Sequence, residues 1–306
     1  MRRGYEPDAF TGPREVSERG EPKTHEGSRT DDPHQLEQDE RGQEPGSPTS
    51  LEETRSPEAR KVYEIRGHTY RLRTSEIAAI VELGKFRVIA MQDLREFAYE
   101  TDKTRMRPDT ESLVRQGLVQ MKSAPHEETG SRQLLALTRA GHRLLEETQF
   151  AGKSQVIYHG FTRPREAHHD ADLYRLYQKA ASKIESAGGR NLCVILDYEL
   201  KKRVCHDLAK LGPEHASAAN RRSIAQQHGL QVVRGKIPLP DVRIEYDTPD
   251  GERARVDIEL ATSHYRFRNL AEKVRAGFSI YAHPSDLSNL RRVLDQQELT
   301  AEILSL

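Results

Sequence analysis

The sequence predicts an α+β protein in three parts, and three observations predict it. The first 60 residues are nearly empty of Ile, Val and Leu. Residues 61–150 carry three helical patterns, a hairpin pattern and a closing helical pattern. From residue 151 onward, helix-patterned and strand-patterned runs succeed one another. The chain has 306 residues, room for about two folded domains. Its 35% hydrophobic and 31% charged composition leaves part of it too poor in apolar residues to fold.

Composition also excludes classes. Apolar runs such as Ile77 to Val81 and Leu192 to Leu196 are far short of the roughly 18 residues that span a bilayer, so no membrane partner is expected. The opening MRRGYEPDAFTG lacks the apolar segment of a secretory signal, and a cytoplasmic location is expected. Cys193 and Cys205 are too few for a disulfide framework or a zinc finger.

Residues 1–60 hold 9 Lys and Arg against 15 Asp and Glu, so the overall net charge of zero hides a mildly basic body behind an acidic segment. Such a segment buries too little apolar surface to offset an ordering cost of about 1–2 kcal/mol per residue, and a disordered N-terminal tail is expected. Its alternative role is an acidic mimic that competes with DNA for the basic body.

In the next part, Thr74 or Ser75 caps a helix through Leu83, with Ile77, Ile80 and Val81 at helical spacing and Gly84 just past its end. Gln92–Tyr99 is the second helix. The third begins around Pro108, Asp109 and Thr110 and ends at Gly117. Leu118–Lys122 and Gln133–Leu137 form a hairpin with the long polar tip SAPHEETGSR, and Thr138 caps a short amphipathic helix. Three helices, a hairpin and a closing helix make the order of a winged helix-turn-helix, so residues 61–150 are expected to bind double-stranded DNA. In that arrangement the third helix enters the major groove and the wing lies on backbone or minor groove. Lys103, Arg105 and Arg107 stand at the entrance to that helix, Arg115 lies on it, and Lys122 and Arg132 flank the wing. These six are the DNA-binding candidates. The alternative is an ordinary solvated surface on a protein-docking module.

Residues 151–306 open with a long amphipathic helix over 165–185, with Leu173, Leu176, Tyr177, Ala180 and Ile184 on one face. Asn191–Leu196 reads as a buried strand. Tyr198–Leu211 and Ala218–His228 read as helices, the first stopped at Gly212-Pro213. Pro240–Tyr246 and Glu252–Leu260 form a hairpin about the turn TPDG. A basic helix at 264–276, a strand at Phe278–Ala282, a helix at Ser285–Gln296 and a strand at Ala301–Leu306 complete the chain.

Pro240-Asp241 at the start of one strand and Glu259 near the end of the next carry the chemistry. Two carboxylates on adjacent strands converge on a hydrated Mg²⁺ or Mn²⁺, which polarises a phosphodiester and activates water. This order and these residues resemble the restriction-endonuclease-like PD-(D/E)xK core. The Lys expected two residues after Glu259 is Ala261, and Lys273 on the following helix is the candidate replacement. Arg266 or Arg268 would hold phosphate. Asp197 with Glu199-Leu200-Lys201 is a literal D…ExK directly after a strand, but it opens a helix and lacks an upstream Pro-Asp. Asp241 has the alternative of capping a turn, and Glu259 of pairing with Arg243 or Arg255 across the hairpin. His168, His169, Asp170 and Asp172 form either a metal cluster or a polar helix start.

The combination of a winged helix, a His before the long helix, the Pro-Asp strand, a strand ending in Glu and a helix carrying Lys resembles the replication-relaxation family of plasmids and mobile elements. The resemblance covers about residues 61–306. It implies Asp241, Glu259, Lys273 and His169 as the catalytic set, Asp241 and Glu259 as metal ligands, and replication or mobilisation proteins, or a second copy of the chain, as partners. Two alternatives stay open: a transcriptional regulator with a non-catalytic C-terminal dimerisation domain, and a Mg²⁺-dependent DNA nickase.

Overall fold

The computed structural model describes residues 59–126, 130–161, 166–211, 217–262, 267–295 and 303–306. The expected acidic tail, as far as residue 58, the hairpin tip at 127–129, Gly212-Pro213 and Arg266 lie outside the described residues. Residues 56–306 group as one compact unit of mixed α+β structure.

The unit opens with a hairpin not expected from the sequence, β1 (Lys61–Ile65) and β2 (His68–Leu72). Arg66 and Gly67 at its turn have φ of 49° and 79°, the two positive values of a tight turn matched to strand twist. α1 (Thr74–Lys85) follows, with Arg73 rather than Thr74 or Ser75 at the N-cap. The reason is side-chain competition. Glu76 reaches back to accept the Arg73 N–H at 2.7 Å, while the Ser75 hydroxyl donates to Asp109 at 2.6 Å. Gly84 lies inside α1, not past it. A Cβ there would stand 2.7 Å from Leu145 Cδ1, so the glycine permits close approach of the neighbouring helix.

β3 (Ile89–Ala90) leads into α2 (Met91–Phe97), then α3 (Met106–Arg115). α3 starts before the expected Pro108, which sits in the first turn where its missing N–H has no intrahelical partner to lose. Asp109 is buried, accepting from Arg73, Ser75 and Tyr99. β4 (Val119–His126) and β5 (Gly130–Leu137) pair throughout their length, so most of the expected polar tip is strand. α4 (Arg139–Thr148) is capped by Thr138, as its sequence predicts.

The second half is built on a five-stranded sheet of order β10-β9-β8-β7-β6. Its elements are α5 (Ala167–Ser186), β6 (Arg190–Leu196), α6 (Asp197–Lys210), α7 (Ala218–Gln227), β7 (Val242–Asp247), β8 (Arg253–Ala261), α8 (Phe267–Arg275), β9 (Ser279–Ala282), α9 (Leu287–Asp295) and β10 (Ile303–Ser305). β6, β7 and β8 are antiparallel neighbours; β8, β9 and β10 run parallel. The C-terminal ends of β6, β8 and β9 and the start of β7 therefore share one end of the sheet.

Both sheet faces are covered. Ile258 and Leu260 pack in the cluster that holds Leu173, Leu176 and Tyr177 of α5. Ala261 and Ile280 pack with Leu200, Ile224, Leu270 and Leu290 from the helices opposite. The boundary expected at residue 150 falls within a continuous core, since Tyr174 of α5 meets Phe86 and Phe97 edge-on at 5.2 and 6.0 Å. The connector also closes the sheet edge. The Gln155 side chain accepts from the Val194 N–H and donates to the Val194 carbonyl, each at 2.9 Å, in place of a further strand on β6.

Candidate functional site

The shared end of the sheet gathers the residues that the sequence nominates from three separate segments. Antiparallel pairing of Val242 with Ile258 puts Asp241, one residue earlier, opposite Glu259. Asp241 accepts the Leu260 N–H through Oδ2 at 2.9 Å, which ties its carboxylate to the next strand. Its Oδ1 lies 3.6 Å from His169 Nε2 on α5, an ion-pair contact longer than a hydrogen bond.

Glu259 is fully buried. Its Oε1 stands 2.6 Å from Lys273 Nζ, brought by α8 in the crossover between β8 and β9, and the same ammonium donates to the Leu239 carbonyl at 2.6 Å. Glu259 thus pairs with Lys273, correcting the expectation of Arg243 or Arg255. Arg243 instead makes a bidentate pair with its cross-strand partner Asp257, at 2.6 and 2.8 Å. Ala261, in the position where the pattern expects Lys, is buried. The result is two carboxylates, each matched to a cation from a helix.

Electrostatics follow from this packing. Burial alone would lower the His169 pKa, but the Asp241 carboxylate, with Asp170 and Asp172 nearby, pushes it up to about 9. His169 is therefore a cation at neutral pH. Burial pushes the Asp170 carboxyl up to about 6, with Arg87 acting in the opposite direction. Burial would also raise Asp172, but hydrogen bonds from His283 and Arg132 hold it below the usual carboxylate range.

The four polar residues at the start of α5 do not converge on one point. His168 faces the His126 ring, with centroids 5.3 Å apart, while His169 points to Asp241. Asp170 accepts from Arg87 at 3.3 Å, and Asp172 from Arg132 at 2.7 Å and His283 at 3.2 Å. Among the described residues no group of three His, Cys, Asp or Glu side chains is arranged to hold a metal. Asp241 and Glu259 are oxygen donors of the kind Mg²⁺ or Mn²⁺ takes, but each already faces a cation, His169 and Lys273 respectively.

The DNA-binding candidates divide. Lys103, Arg107, Arg115 and Lys122 are exposed, and Arg105 is half-buried. Arg107 pairs with Glu111 one turn along α3 at 3.0 Å, and Lys122 lies over the Phe161 ring at 4.7 Å. Arg132 departs from the set. Its guanidinium is buried, donating to Asp172 at 2.7 Å and Asp93 at 2.8 Å, so it joins β5 to α5 and α2 and presents nothing to a phosphate.

Two further residues belong to the site's surroundings. Asp197, the first residue of α6, donates its N–H to the Asp241 carbonyl at 3.1 Å. The sequence singles it out with the ExK and sets it aside, because the ExK opens a helix. Arg87 donates to both Asp197 and Asp170. No local pattern marks it, since both partners are remote in sequence. The Cys193 thiol is buried and pushed up by burial, and Cys205 is free and exposed on α6.

Comparison with protein-family models, curated proteins and solved structures gives no match.

Proposed function

We propose that the protein is a DNA-binding protein of plasmid or mobile-element replication or relaxation type. In this reading residues 61–150 act as a winged helix on duplex DNA, and residues 151–306 act as a nuclease-like unit on the phosphodiester. The observation that carries it is the placement of two carboxylate–cation pairs, Asp241–His169 and Glu259–Lys273, at one end of the sheet. The three-helix and hairpin order before that sheet, with exposed Lys103, Arg107, Arg115 and Lys122, supports a duplex partner.

The site residues take distinct roles. Asp241 and Glu259 would hold Mg²⁺ or Mn²⁺, which when bound supplies a Lewis acid and a more acidic water. Lys273 compensates the buried Glu259 charge and stands in for the lysine absent at position 261. His169, protonated at neutral pH, offers a positive charge to a phosphate oxygen and a proton to a leaving oxygen.

A second reading is favoured by the cation already matched to each carboxylate: the unit grips DNA without cutting it. Supercoiled plasmid, incubated with the protein with and without Mg²⁺ or Mn²⁺, separates the two. Metal-dependent open circles that disappear in Asp241→Ala and Glu259→Ala are expected for a nickase. A salt-sensitive mobility shift with unchanged topology supports the gripping protein. Neither shift nor nick overturns both.

A further inference from the structure

We infer that Arg87 is a positioning residue for the His169–Asp241 pair, so that the amino-terminal half of the compact unit helps to build the site. The inference rests on the site as read above. Arg87 precedes β3, far in sequence from either member of the pair, and its side chain is only 7% exposed. Its two arms straddle the contact. Nη1 donates to Asp170 at 3.3 Å, the residue that follows His169 on α5. Nη2 donates to Asp197, whose own N–H donates to the Asp241 carbonyl at 3.1 Å. One rigid planar guanidinium therefore reaches one residue from His169 on one side and the hydrogen-bond partner of Asp241 on the other.

Arg132 reinforces the same turn of α5 from β5, through Asp172, which also takes His283 from the end of β9. The start of α5 is thus tied to the hairpin, to α6 and to the sheet end by buried and half-buried ion pairs. Such pairs add little net stability over an apolar packing, and their better-attested contribution is to select one geometry. Geometry is what a His169–Asp241 contact of 3.6 Å needs, because displacement of about 1 Å costs on the order of 100-fold in a positioned reaction.

The test uses the full chain in EDTA, so it requires neither metal nor DNA. Imidazole ¹H–¹⁵N spectra are recorded at one fixed pH, with the His169 resonances assigned through His169→Gln. Arg87→Lys keeps the charge but cannot span both aspartates. Asp197→Asn removes the charge on one arm at a side chain that is 34% exposed, and so folds even if the arginine variant does not. The expected result is displaced His169 resonances in the variants. His142 and His228, whose partners are Glu146 and Asp207, should keep theirs. Folded variants with His169 resonances unchanged would overturn the positioning role. The plasmid assay answers the separate question of what the site does: wild-type protein that leaves topology unaltered removes the nickase reading and not this inference.

Discussion

Lys273 Nζ lies 2.6 Å from Glu259 Oε1, and this contact joins α8 to the buried end of β8. The Glu259 side chain is 1% exposed and that of Lys273 18% exposed, so the two members of the pair depend on each other unequally. Lys273→Met strips the ammonium from a carboxylate that water cannot reach, with an expected loss of about 3–5 kcal/mol. Glu259→Gln leaves Lys273 its Leu239 carbonyl and some access to solvent, and should cost about 1–3 kcal/mol. Urea unfolding of both variants checks the order. An equal or reversed ranking would remove Lys273 as the compensating charge.

Arg132 distinguishes a structural arginine from a wing arginine. Arg132→Met leaves Asp172 with His283 and Asp93 with Arg175, each short of one buried cation. A loss of about 3 kcal/mol is expected. Duplex affinity, measured by anisotropy on the folded variant, should be unaltered. Lys103→Ala, Arg107→Ala and Lys122→Ala should behave in the opposite way, with stability held. Each lost phosphate contact should flatten the logarithmic salt dependence of binding by about 0.9.

Protonation of His169 makes stability depend on pH. Its folded pKa of about 9 exceeds the ordinary 6.5, so folding favours the protonated ring. The contribution is fully present below pH 6.5 and is lost as pH rises through 9. Urea midpoints of metal-free protein should fall across that interval, and His169→Gln should decline less. A parallel decline in both proteins would assign the effect elsewhere.

Two glycines rank the closeness of helix packing. A Cβ at Gly141 would meet the Leu118 carbonyl oxygen at 2.3 Å, a backbone atom with no room to move. At Gly84 it would meet Leu145 Cδ1 at 2.7 Å, a methyl at the end of a side chain that can rotate. Overpacking of about 1–3 kcal/mol at Gly84 is partly offset by about 1 kcal/mol of helix propensity. Gly84→Ala should therefore unfold slightly earlier than wild type, and Gly141→Ala markedly earlier or not fold. Thermal melts of the two variants decide it.

Much of the secondary structure was legible because it rests on local rules. Thr138 before an amphipathic run predicts a capped helix, and α4 has that cap. Pro-Asp-Gly between two strand patterns predicts the β7–β8 hairpin. The β1–β2 hairpin carried its signal too, in alternating residues about Arg66-Gly67, but over strands of five residues that give little pattern to read. Gly84 lies inside α1 instead of ending it, because a helix-ending glycine and a helix-packing glycine look alike until the neighbouring helix is present.

By itself the sequence determined most of the order of helices and strands, some of their caps and turns, and the candidacy of Asp241 and Glu259. Each follows from residue type and spacing along a short segment. Only the tertiary structure decided which charges meet. It buried Arg132 between two aspartates, gave Glu259 to Lys273 instead of Arg243, and drew Arg87 between Asp170 and Asp197 beside the His169–Asp241 contact. Those pairings join residues remote in sequence, and their strength comes from the water that packing excludes. Periodicity registers neither, because both arise only when the two halves close over a common core.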